Sequence, residues 1–151
     1  MDKTPKDSLM VKQVSFIVVV RRIRTLGIAI TVGIAAIYLM GLLVLSDKVK
    51  EEMYILNLSS VILLAFSIPL IIAIRKILLK KVNLSNFQTT YFNAHIIPFA
   101  ILDFTALFCI STNLFVNPNF VFATGGVIVS IAAMIFLLPK EEFFEEIKTR
   151  G

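Results

Sequence analysis

Four long apolar runs, broken by short polar stretches, set the pattern of this chain: residues 26–45, 54–74, 96–116 and 120–138. Each holds about 20 residues, what a hydrocarbon layer roughly 30 Å thick needs at a helical rise of about 1.5 Å. The predicted fold is all-α: an integral membrane bundle of four transmembrane helices, readable as two helical hairpins. Ahead of it lies an N-terminal segment, 1–25. Its stretch 9–20 is apolar apart from Lys12, Gln13 and Ser15. That stretch is too short to span, so it is read as an interfacial helix or as an extension of the first span. Behind the bundle, 139–151 mixes Phe143, Phe144 and Ile147 with four glutamates, the pattern of a short amphipathic surface helix.

Within the runs, small and polar residues are not scattered. Gly27, Thr31 and Ala35 recur at four-residue spacing in the first span, with Ala29 and Gly33 on a second face. Gly126 and Ser130 in the fourth share one side with Ala123 and Ala133. Helices in lipid associate by packing, so such faces predict close backbone approach inside the bundle or between copies. The second span carries a polar stripe, Asn57, Ser60 and Ser67, followed by Pro69; the third carries Pro98. Each proline lacks an N–H and is expected to kink its helix or free a carbonyl.

Charge fixes an expected orientation. Of the fifteen basic residues, only Lys48 and Lys50 fall between spans one and two, and none between spans three and four. The other thirteen precede span one, lie between spans two and three, or follow span four. This asymmetry predicts both termini in the cytoplasm. The net charge of +5 is thereby topological, which argues against nucleic acid as a partner. No cleavable leader is expected, because the run 14–20 is followed by Arg21 and Arg22 rather than by small residues. The single cysteine, Cys109, allows no disulfide within the chain and reads as a small buried apolar group.

Asp103 stands out against this background. It is the lone acid of span three, which holds no Lys, Arg, Glu or His. Twelve Leu, Ile, Phe and Val residues in that span contribute roughly 4–7 kcal/mol toward insertion, against about 2.5–3.5 kcal/mol for the acid. The span therefore tolerates the acid, which at rest is expected to keep its proton. Asn57, Ser60 and Ser67, or a carbonyl freed by Pro98, are its expected partners. Two readings follow: hydrogen-bond glue between helices, or a proton or cation site of alternating occupancy.

The remaining polar residues carry less. His95, the only histidine, is expected to be solvated at the cytoplasmic mouth of span three. Asn113, Asn117 and Asn119 flank Pro118 and read as turn chemistry on the outer face. No nucleophile–base pair, phosphate loop or metal-ligand cluster is present, so neither enzyme activity, nor a metal, nor a cofactor is expected. An alignment of Ala29-Ile30 with Ala100-Ile101, which also pairs Ala35 with Ala106, hints at a parallel repeat of the two hairpins.

The segment 91–108, YFNAHIIPFAILDFTALF, resembles the third helix of a group of small bacterial four-helix membrane proteins. There a Tyr precedes an Ile-Ile pair, an Ala-Leu-Leu-Glu-Gly-like core and an Ala-Leu-Phe. Tyr91, Ile96, Ile97, Ala100, Asp103, Ala106, Leu107 and Phe108 carry the likeness. The AITVG at 29–33 is similar to that family's first helix, and Pro139-Lys140 with its acidic tail to its close. Asp103 stands where the family has Glu, and Phe104 where it has Gly. The resemblance implies the fold and a carboxylate position, and no established activity. The duplicated hairpins are also distantly similar in architecture to the proteolipid c subunits of rotary ATPases, in which the carboxylate sits on the second helix of a hairpin.

The leading expectation is thus a small multi-pass protein of a cell inner membrane that binds a proton or cation at Asp103, within the lipid bilayer and in an oligomer. The alternative is a non-catalytic accessory or assembly subunit of a larger membrane complex.

Overall fold

In the computed structural model, residues 5–44 and 53–150 are described; Lys3 and the loop with Lys48 and Lys50 lie outside them. Helix α1 (Pro5–Leu43) is followed by α2 (Tyr54–Lys80), α3 (Phe87–Ser111), a π-helical turn (Thr112–Val116), α4 (Phe120–Leu137) and a short α5 (Phe143–Arg150). Four of these helices are long and apolar enough to cross a membrane, and the described residues contain no strand. The protein is an all-α, multi-pass membrane bundle.

The N-terminal segment does not form a unit of its own. With no glycine or proline between Lys6 and Leu26 to break it, the helix runs unbroken through the β-branched run at 18–20. Its 39 residues reach nearly 60 Å, about twice the hydrocarbon thickness, so a large part must stand outside it. Phe16, Val20, Ile23, Gly27, Ile34 and Gly41 are its buried positions, a three-and-four spacing that keeps one seam against the bundle from end to end. The prolines do not interrupt their elements either: α2 passes through Pro69 and α3 through Pro98.

Helix α3 is the hub. It packs on α1, α2 and α4, and α4 in turn touches α1 and α2. Among the described residues α1 and α2 hardly meet and occupy opposite corners of the bundle. Hairpin two is packed and hairpin one is open, because the inward seam of α1 is already filled by α3 and α4.

Glycines set how closely the helices approach. A Cβ at Gly27 would lie 2.9 Å from the Phe99 ring, and one at Gly41 2.5 Å from Leu114 Cδ1. These two contacts hold α1 and α3 parallel in a steady register. A Cβ at Gly126 would lie 2.8 Å from Cys109 Sγ, where α4 meets α3. Ser130, one turn on, is buried, whereas Thr31 and Ala35 are half-buried at the edge of the α1 seam. Gly33 and Gly125 face open space.

Candidate functional site

The polar stripe of α2 is fully used inside the bundle. Asn57 donates to the Asn117 carbonyl at 2.7 Å and accepts from the Asn117 amide at 3.0 Å. Ser60 donates to the Asn57 carbonyl at 2.7 Å and accepts from Asn113 Nδ2 at 2.8 Å. Lower in the bundle, Ser67 donates to the Leu64 carbonyl and lies 3.2 Å from Thr105 Oγ1. All of these side chains are at most 5% exposed. Asn113 and Asn117 thus correct the expectation of outer turn chemistry. The π turn and the following extended residues swing them inward, where their amides satisfy α2. Only Asn119 acts as a turn residue, capping α4 by accepting from the Phe122 N–H at 3.1 Å.

Asp103 does not join them. The inward residues of α3 here are Leu102, Thr105, Ala106 and Cys109, and Asp103 is one step of about 100° away from that face. It is half-buried beside Phe104, which is 68% exposed. By the register that Gly27 and Gly41 impose, it stands level with Thr31 on the α1 side of α3. Thr31 itself donates to the Gly27 carbonyl at 2.8 Å. Among the described residues Asp103 makes no hydrogen bond and no ion pair. The sequence-derived partners Asn57, Ser60 and Ser67 all lie on the α2 side of the hub, so the structure separates the acid from its expected shell.

A second polar cluster, not anticipated from the residue pattern, lies at the basic end. His95 is 1% exposed, which corrects the solvated histidine. Its Nδ1 is 2.9 Å from the Tyr91 carbonyl and its Nε2 is 3.1 Å from Arg75 Nη2. A carbonyl can only accept and a guanidinium can only donate, so Nδ1 carries the proton and Nε2 accepts. The imidazole is therefore neutral, and it orients Arg75 without cancelling its charge. Arg75 Nε is buried with no hydrogen-bond partner. The Tyr91 hydroxyl donates to the Lys140 carbonyl at 3.1 Å, and its ring stacks on Phe143 at 5.3 Å and tilts against Phe16 at 4.8 Å. Phe144 and Ile147 of α5 are buried in the same place, so the tail docks onto the bundle end. Arg24 strengthens the docking by donating to the Pro139 carbonyl at 3.2 Å and to Glu141 at 3.0 Å. The sequence signals that point here are Tyr91 and His95 one helical turn apart, and a basic group at the end of α2 whose phase faces them.

No family model, no curated protein and no solved structure matches this chain. The resemblance to the small bacterial four-helix proteins stands on its residues alone.

Proposed function

We propose that this protein is a non-catalytic accessory or assembly subunit that meets a second transmembrane chain through the Asp103 face of α3, in the inner membrane with both termini in the cytoplasm. One observation carries this: the bundle's deep acid is partly exposed and has no partner among the described residues, while the polar side chains of its core hydrogen-bond within the chain. An acid exposed to hydrocarbon costs a few kcal/mol, and a hydrogen-bond or cationic partner on a neighbouring helix offsets that cost. The partial exposure of Asp103 also supports a second reading, in which the carboxyl takes up and releases a proton. No group of three His, Cys, Asp or Glu side chains comes together among the described residues, so nothing beside Asp103 supports a carboxylate-rich cation site in a single copy.

A photo-crosslinking residue at Phe104, beside the acid, tests the proposal in intact membranes; Phe136, also exposed but on α4, serves as control. Capture of one defined protein at 104, lost with Asp103→Leu and absent at 136, is the expected result. Capture of lipid only at both positions would sink the assembly reading and leave proton uptake to be measured.

A further inference from the structure

Arg75, the orphan guanidinium at the basic end, opens onto a groove of about 320 Å³ lined by Ile72, Arg75, Lys76, Leu79, Lys80 and Phe143. We infer that this groove between α2 and the tail is a binding site for a phosphate-bearing anion, with Arg75 as its central ligand. Arg75 is held by a neutral acceptor, His95, in place of a carboxylate. No carboxylate is hydrogen-bonded to its guanidinium, and its Nε–H has no partner. Neither ion pair among the described residues, Arg24–Glu141 or Lys148–Glu145, involves Arg75, Lys76 or Lys80. Three cations therefore converge on one groove, with no carboxylate in its lining.

The acids nearby sharpen the assignment. Glu142 and Glu146 line a smaller pocket of about 110 Å³ that also borders Arg75, Leu79 and Phe143. They repel an anion from that pocket and leave the larger groove as its place. Depth agrees as well. At about 1.5 Å per residue α2 is about 40 Å long, so its last residues, from Arg75 to Lys80, fall at headgroup level when the span before them fills the hydrocarbon. Ile72, Leu79 and Phe143 give the groove an apolar wall, which suits an acyl chain below a phosphate. A guanidinium matches a phosphate in a fork geometry that ammonium groups then reinforce as point charges.

Native mass spectrometry of the full-length protein in a neutral detergent tests this. The probes are dimyristoyl phosphatidylglycerol, and dimyristoyl phosphatidylcholine, whose choline the three cations repel. One phosphatidylglycerol is expected to bind at least about tenfold more tightly than phosphatidylcholine. Arg75→Gln is expected to abolish that preference, and Lys76→Gln and Lys80→Gln to weaken it roughly fivefold each. Arg21→Gln, in the groove between α1 and α3, should leave it intact. Inorganic phosphate that displaces the lipid at millimolar concentration would identify a soluble phosphate as the ligand, and failure to displace it a lipid headgroup. Because Arg75→Gln disturbs a buried cluster, Lys76→Gln/Lys80→Gln, at two exposed positions, carries the test if that variant unfolds. Equal binding of the two lipids, or a preference that survives both the Arg75 and the Lys76/Lys80 replacements, would overturn the assignment.

Discussion

Asp103 and Gly126 show how single residues divide between function and packing. In the isolated protein Asp103 makes no hydrogen bond or ion pair among the described residues, and it is partly exposed. Asp103→Leu is therefore expected to raise the thermal stability of the purified bundle, in the direction of the few kcal/mol that separate the two side chains in insertion. A melt in detergent checks this, and a lower melting temperature would mean that the acid has a partner within the chain. Gly126 is the opposite case. A methyl group there would sit 2.8 Å from Cys109 Sγ, so Gly126→Ala should cost about 1–3 kcal/mol. Adding Cys109→Ala to that variant removes the sulfur and is expected to recover part of the loss; no recovery would place the strain elsewhere. His95 makes the same point about reading a residue alone. Its type suggested a solvated titrating group, and its burial makes it a neutral positioning acceptor for Arg75.

Among the elements, α1 and α5 depend on each other. Phe16 lies in the part of α1 that precedes its most apolar stretch, and it touches Phe87, Tyr91 and Phe144 at ring distances of 4.8–5.9 Å. Phe16→Ala should release the tail helix before it loosens the membrane spans, since deleting a buried aromatic typically costs 3–5 kcal/mol. Hydrogen exchange resolved along the chain is the measurement, with faster exchange expected over 143–150 and little change over α4. Uniformly faster exchange in every helix would instead mean that the aromatic cluster holds the whole bundle. The exposed Arg24–Glu141 pair adds little on this scale, as solvated ion pairs generally do.

For the whole molecule, the decisive feature is that α1 is held by α3 and α4 and not by its neighbour in sequence. Halves 1–47 and 48–151, produced together, are expected to reassemble and co-purify. The hairpin 1–85 by itself is expected to be degraded, because it lacks the hub. A protease-resistant 1–85 fragment would contradict this arrangement. The same geometry places the two candidate sites in different surroundings: Asp103 on the α1 side of the hub at mid-bundle, and Arg75 at its basic end beneath the tail.

The number of spans and the helical class follow from the sequence by itself. Hydrocarbon thickness and backbone hydrogen bonding leave an apolar run of such length one regular structure to adopt. The close-packing glycines were legible for a related reason, since Gly27 and Gly126 sit at the spacing that brings small residues onto one helix face. Which polar residues meet was decided only by the tertiary structure. A difference of two positions on α3 turns a side chain by about 200°, enough to send Thr105 toward Ser67 and Asp103 toward the rim. Likewise, Asn113 and Asn117 reach α2 only because the end of α3 widens into a π turn, whose register no local pattern announces. The charge of Arg75 was plain in the sequence. That it is left uncancelled depends on a histidine twenty residues away, brought beside it by the packing of α2 on α3.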